Sequence, residues 1–238
     1  MVKKTDAFLI GPRDHPDGLN LLPYDPGKKG SWYSFGFLLR KVACQYLDID
    51  VEELNVGYSV RQVDGGMRVE AFLSDQLENG AGYASHLGKA NVLPILLNHA
   101  DNYVNVQLAQ SPHDQCDSSC YECLRDYYNS MFHNLLDWRL GRDVLDIIRG
   151  RALNTVWWGS LEASLAKSFT EDFEGSPISI AGGVSAILTK AKILIVRHPF
   201  EEPTNGHDYT SCHLTERLLE AIVDAEHQFR DHQIRFVS

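Results

Sequence analysis

Within eleven residues the chain places one histidine and three of its five cysteines: His113, Cys116, Cys120 and Cys123. The run reads Ser-Pro-His-Asp-Gln-Cys-Asp-Ser-Ser-Cys-Tyr-Glu-Cys. A tetrahedral metal is a severe restraint on a fold, because four side chains must reach one point. A Cys-x-x-Cys pair with another thiol four residues upstream brings three soft donors to a zinc ion. His113 is the nearest nitrogen donor and the preferred fourth ligand. Asp114 and His133 remain alternatives for that place.

Two other uses of clustered thiols compete with this reading. A disulfide staple belongs to an oxidising compartment. The chain opens Met-Val-Lys-Lys-Thr-Asp, without a secretory segment, so a reducing, cytoplasmic setting is expected. A redox Cys-x-x-Cys opens a helix directly after a strand, whereas here a polar loop precedes it. Catalytic zinc keeps an open position beside an acid or base. The His-x-Glu of the zinc deaminases and the His-Glu-x-x-His of the zinc proteases are both missing. A closed, structural zinc site is the expectation.

Charge narrows the partners. The formal charge is −10, which suits a basic partner or docking onto a larger protein better than solitary capture of nucleic acid. Local basic spots occur at Lys28-Lys29 and Arg40-Lys41. Arg139, Arg142, Arg149 and Arg151 form another, but Asp143 and Asp146 are interleaved at helical spacing, so a salt-bridged, solvated face is expected. No apolar run reaches the length of a membrane span. No nucleotide-binding Gly-x-x-x-x-Gly-Lys-Ser/Thr loop is present, and Gly27-Lys28-Lys29-Gly30-Ser31 is too short and wrongly ordered. No Asp-Glu-x-Asp/His box appears either, which points away from an ATPase activity of its own.

Periodicity supplies the elements. Residues 6–11 read as a strand, followed by a Pro/Gly/Asp-rich loop through Gly30. Phe35, Leu38, Leu39, Val42, Ala43 and Tyr46 predict a helix over 34–47, with Cys44 as a buried thiol beside the stripe. Residues 54–63 and 67–73 alternate about Asp64-Gly65-Gly66 as a hairpin. A helix is expected from Ala81 to Ala100. Its Gly80-Ala81-Gly82 entrance could cradle a phosphate, but a tight strand-to-helix connection with Asp75 as a capping carboxylate is preferred. Leu135, Trp138, Leu145 and Ile148 share one face of a buried helix. Beyond Gly150, a helix over 161–169 leads into a loop through Pro177, then buried strands at 184–188 and 193–196. A helix carrying Leu214, Leu218, Ile222 and Ala225, capped by Thr210 or Ser211, precedes a final strand at 234–237. This order can set two parallel strands in one sheet. Cys212 and His213 fall at that helix start without an evident orienting partner, so a nucleophile there is not expected.

Two segments together resemble a known family. They are Asp75 with Asn79-Gly80-Ala81-Gly82-Tyr83, and Cys116, Cys120-Tyr121-Glu122-Cys123-Leu124, Tyr127, Asn129, His133 and Leu136-Asp137-Trp138-Arg139. The chain resembles the MrfA-type zinc-binding domain, which ends many DEAD/DEAH-type helicases and occurs in the DrmB subunit of the DISARM phage-defence system. The resemblance covers roughly residues 5 to 150 and, more weakly, the tail. That family usually supplies four cysteines; His113 or Asp114 stands here at the position of the first. The resemblance implies zinc at Cys116, Cys120 and Cys123, and a supporting role in a helicase or DNA-processing complex. The partner implied is a superfamily-two helicase subunit or motor domain, with nucleic acid met through the complex. The alternative is a zinc- or thiol-dependent hydrolase acting on nucleic acid or a nucleotide. The expected fold is α/β (mixed α+β), with a zinc knuckle between helices and a C-terminal β-α-β segment. Residues 1–150 would form the zinc-binding domain, and 151–238 an α/β segment packed on it.

Overall fold

The computed structural model describes residues 4–14, 17–63, 66–203 and 214–237. The fold is mixed α and β, divided into two compact units: Met1–Asp14 with Leu22–Ala152, and His15–Leu21 with Leu153–Ser238. Among the described residues, no helix is long and apolar enough to cross a membrane.

The first unit is built on a three-stranded antiparallel sheet. Its strands are β1 (Ala7–Ile10), β2 (Leu54–Val63) and β3 (Gly66–Asp75), in the order β1-β3-β2. The hairpin register pairs Val60 with Val69 and Leu54 with Asp75. Packed on this sheet is α1 (Pro26–Leu47), which begins eight residues before the expected start at 34. Asp25 explains the early start: its carboxylate accepts from the Lys28 N–H at 2.9 Å, and Pro26 occupies the first turn. The segment expected to be loop through Gly30 is therefore partly helix. Trp32, Phe35, Leu38 and Leu39 on α1 are fully buried, as is Leu73 on β3. Cys44 is buried as expected, and burial pushes its thiol up to about 11.

The helix expected over 81–100 is two pieces. Tyr83–Leu87 forms α2 and Leu93–Asn102 forms α3. Gly88 closes the first piece, and Pro94 opens the second, where a missing N–H costs nothing. A π-helical turn, Tyr103–Leu108, continues α3. Trp138–Ile148 forms α4, capped by Asp137, whose carboxylate accepts from the Arg139 N–H at 2.8 Å. Gly141 lets α4 approach α1 closely, since a Cβ there would meet the Ser34 carbonyl carbon at 2.9 Å.

The second unit sandwiches a four-stranded sheet between two helices. α5 spans Thr155–Ser168 and α6 spans Glu216–Gln228. The strands are β4 (Ser176–Ile180), β5 (Val184–Leu188), β6 (Lys192–Val196) and β7 (Gln233–Val237), in sequential order. β6 and β7 run parallel, with α6 as their crossover; the other pairs are antiparallel. The sheet is buried on both faces. Val184, Ala186, Ile193 and Ile195 pack with Leu218, Ala221, Ile222 and Ala225 of α6. Ile187, Leu194 and Val196 pack with Ala166 of α5. Strands covered twice read as unbroken apolar runs, which is how β5 and β6 appear in the sequence. β4 begins in the segment expected to be loop through Pro177 and runs on into residues given no element; its burial pattern is mostly exposed, so periodicity could not reveal it. The cap of α6 is Thr215, which accepts from the Leu218 N–H at 3.3 Å. Thr210, Ser211, Cys212 and His213 lie outside the described residues.

Candidate metal centre

The loop from the π-helical turn to α4 brings His113, Cys116, Cys120 and Cys123 together. Their ligand atoms all lie within 4.8 Å of one another, and the group could hold a metal ion. His113 sits in a short 3-10 turn, His113–Gln115, whose last N–H bond runs from Cys116 to the His113 carbonyl at 2.9 Å. Its Nδ1 is 3.0 Å from the Leu108 carbonyl oxygen. A proton on Nδ1 makes that bond and leaves Nε2 with a lone pair. Nε2 is 3.4 Å from the Cys120 sulfur, and the Cys120 and Cys123 sulfurs are 3.7 Å apart. The Cys120 N–H donates to the Cys123 sulfur at 3.0 Å. The Cys123 and Arg125 N–H groups close the turn on the Cys120 carbonyl at 3.2 and 2.9 Å.

The other two donors weighed for the fourth position stand elsewhere. Asp114 is exposed. His133 Nε2 is 2.9 Å from Asn129 Oδ1 and 3.1 Å from the Asp126 carbonyl oxygen. It helps hold the 3-10 helix Tyr127–Leu135.

Thiol electrostatics describe a site that needs a cation. Burial pushes Cys123 up to about 12, and burial with the neighbouring Cys120 raises Cys116. Burial also acts upward on Cys120, but hydrogen bonds from the Cys123 and Glu122 backbone outweigh it and hold that thiol below its ordinary value. Three sulfurs this close cannot all ionise in a sheltered site unless a positive charge joins them. Lys41 is a poor substitute, because burial lowers its own pKa against the pull of Cys123 and Cys120.

The knuckle is tied down by side chains whose part in it the sequence did not reveal. Arg139 donates to the Asp117 carbonyl at 2.6 Å and to the Cys116 carbonyl at 2.7 Å. Its guanidinium lies 4.9 Å over the Trp138 ring, and Trp138 meets the His113 ring edge-on at 5.8 Å. Tyr103 donates to the Glu122 carbonyl at 3.1 Å, and Lys41 to the same oxygen at 2.6 Å. Arg139 was expected on a solvated face, yet it is 7% exposed. Of the other arginines, Arg142 pairs with Asp146 at 3.5 Å and Arg151 with Asp101 and Asp146 at 2.6 and 2.9 Å, while Arg149 donates to Asn98 at 2.9 Å. Asp143 and Asp146 are buried, so the set is largely ion-paired but not a solvated face. Of the remaining basic spots, Lys29 is exposed and Lys41 is half-buried on the Glu122 carbonyl, while their neighbours are withdrawn. Lys28 is fully buried, and Arg40 is 5% exposed and ion-paired with Asp126.

The glycine turn is likewise occupied by the chain itself. Asp75 accepts from the N–H groups of Ala81, Gly82, Tyr83 and Ala84 at 2.6, 2.6, 3.2 and 2.8 Å. Gly82 takes φ +87°, a left-handed conformation that favours glycine. The amides a phosphate would need are taken, and the preferred reading of Asp75 as a capping carboxylate matches the structure.

Comparison with known proteins adds one relationship. The chain is 30% identical over 117 residues to a protein named Druantia protein DruE from Escherichia coli (strain UMEA 4076-1). The aligned stretch is 48% of this chain but only 6% of that protein's length. No family model matches the chain, and no solved structure matches it.

Proposed function

We propose that the chain is a zinc-ordered, non-motor docking module of a helicase-containing, DNA-directed assembly, in an anti-phage defence system. The observation that carries the zinc reading is the spacing of the donors. Zn–S bonds of about 2.3 Å and a Zn–N bond of about 2.0 Å at tetrahedral angles require sulfurs about 3.8 Å apart and nitrogen about 3.6 Å from sulfur. The separations here are 3.7 and 3.4 Å. Cys116, Cys120, Cys123 and Nε2 of His113 would hold the ion. The Leu108 carbonyl behind Nδ1 is the outer partner that fixes a zinc-bound imidazole. Four protein donors fill a structural site, whereas a catalytic zinc uses three and a water. That count favours scaffold over hydrolase.

The defence setting is supported by the resemblance to the zinc-binding domain of helicases and DISARM, and by the Druantia relative. The partner on this reading is a superfamily-two helicase subunit or motor domain. Elemental analysis of protein purified without added metal should find about one zinc per chain. A tagged chain expressed in its native host should co-purify a helicase, as read by mass spectrometry. A zinc-free folded chain with a Cys120–Cys123 disulfide under reducing conditions would overturn the metal assignment. Cleavage or deamination of nucleic acid by the isolated chain would overturn the scaffold role.

Arg139 should matter to the ion without touching it. Arg139→Ala removes two charge-assisted bonds to the knuckle carbonyls, and should cost about 2 kcal/mol and weaken zinc retention about tenfold or more. Competition against a chromophoric chelator measures the second effect. Unchanged retention would mean that the carbonyls of Cys116 and Asp117 keep their places without it.

A further inference from the structure

We propose that a cleft on the first unit receives an arginine side chain from a basic segment of a protein partner. The cleft has a volume of about 410 Å³ and lies between α1, β2 and the 3-10 helix that follows the metal knuckle. Its walls include Phe37, Phe132 and Tyr128, and its polar lining includes Glu52, Glu53 and Asn55. Phe37 is 4% exposed and already carries the Arg40 guanidinium at 4.7 Å. It backs the partly exposed Phe132 ring at 5.4 Å, so Phe132 and Tyr128 are the faces left open to a guest. Tyr128 is 55% exposed and lines the cleft together with Glu52.

The charge of the cleft selects the guest. Its one lining cation, Arg40, is already ion-paired with Asp126. Among the described residues, Glu52 and Glu53 have no ion-pair partner. Two uncompensated carboxylates beside flat aromatic faces suit a planar cation that can stack and donate at once. A guanidinium does both, whereas an ammonium is a strongly hydrated point charge. Asn55 adds an amide held by Gln76 at 2.6 Å. The same carboxylates repel a phosphate backbone, so a nucleic acid is disfavoured here. Leu77, in the lining and 57% exposed, offers apolar contact to a residue flanking the arginine. The chain's charge of −10 favours a basic partner in the same sense.

The cleft is also linked to the knuckle. The 3-10 helix starts from Asp126, three residues past Cys123, and Asn129 within it donates to the Leu124 carbonyl at 2.8 Å. Ordering of the knuckle therefore places Tyr128 and Phe132. This inference rests on the docking reading for the existence of a partner, but the chemistry of the cleft can be tested without one.

The probe is Nα-acetyl-L-arginine methylamide, titrated into the isotopically labelled full chain and followed by amide chemical shifts. Saturable shifts are expected at Glu52, Glu53, Tyr128 and Phe132. Binding should weaken roughly tenfold in a Glu52→Gln/Glu53→Gln double variant and with the uncharged citrulline analogue. Tyr128→Ala, a change at an exposed side chain, should weaken it with the fold intact. The proposal is overturned if the shifts do not saturate, or if the double variant binds equally well. It is also overturned if the lysine analogue matches arginine, or if a thymidine oligonucleotide shifts the same amides. Failure of these titrations leaves helicase co-purification untouched, and the converse holds, so the two readings can fail separately.

Discussion

On the proposed zinc reading, treating the intact chain with a chelator is expected to lower the melting temperature of the first unit by roughly 10 °C or more. A ligand present at a thousand times its dissociation constant adds about 4 kcal/mol to the folded state, and each kcal/mol moves a unit of this size by about 3 °C. The effect should be concentrated between the π-helical turn and α4. That stretch contains only short 3-10 turns, and it is held by the knuckle, by Tyr103 and by Arg139. Without the ion, the buried Cys123 thiol and the half-buried Cys116 thiol hold their protons, and the bonds that order the loop are lost. Cys120→Ser should move the melt in the same direction. Acid should do so too, because thiolate and imidazole ligands take up protons as the pH falls and release the metal. The second unit has its own two apolar layers, above and below its sheet. Its amide protection against hydrogen exchange should be unchanged by the chelator. If Cys120→Ser kept the full melting temperature while abolishing a measurable activity, the hydrolase alternative would replace the scaffold.

The donors of this site were legible because they are local. His113 to Cys123 span eleven residues, and the chemistry of zinc demands those side chains at short spacing. The choice of His113 over Asp114 and His133 was made on proximity alone, because its physical basis is not local. It depends on where the imidazoles point, and the Leu108 carbonyl turns His113 inward while Asn129 and Asp126 hold His133. Arg139 was misplaced for a related reason. Its spacing to Asp143 satisfies a helix-surface pattern, but it sits in the first turn of α4 and reaches back across the loop to residues 116 and 117. A pattern read along one helix cannot see a partner twenty residues away. The arginine cleft is further still from local reading, since its lining runs from Phe37 to Phe132.

The fold was read best where one physical rule dominated. β2 and β3 pair as the expected hairpin, with β3 alternating in burial from Val69 to Asp75, and β5 and β6 are covered on both faces by α5 and α6. Errors occurred where two rules competed. At the start of α1, Pro26, Gly27 and Gly30 suggested a loop, but the Asp25 cap and a Pro tolerated in the first turn prevailed. Between Ala81 and Ala100 the apolar spacing continued, yet Gly88 and Pro94 broke the backbone into α2 and α3. At β4 the side chains are mostly exposed, so pairing with β5 rather than burial defines the strand.

Replacing Asp75 by alanine should be among the most damaging single changes outside the knuckle, at roughly 4 kcal/mol. The side chain is fully buried at the end of β3 and accepts four backbone N–H groups. Net contributions of about 1.5 kcal/mol or more are typical for hydrogen bonds to a charged group. The loss would also leave donors of a sheltered turn without partners. The turn cannot simply relax, because the neighbouring chain is fixed from the other side: Thr5 donates to the Asp75 carbonyl at 2.9 Å, and the Asp75 N–H bonds the Asp6 carbonyl at 3.0 Å. Asp75→Asn is the informative companion. It keeps the shape and one acceptor oxygen, but turns an amide NH₂ toward backbone N–H groups that also donate. It should therefore cost less than alanine and more than a surface change, about 2 kcal/mol. Urea denaturation read by tryptophan fluorescence, with Trp32 and Trp138 buried in this unit, would rank the three proteins. An Asp75→Ala midpoint equal to that of the parent would mean that the turn is ordered by its glycines alone, and the account of Asp75 as its organising acceptor would be abandoned.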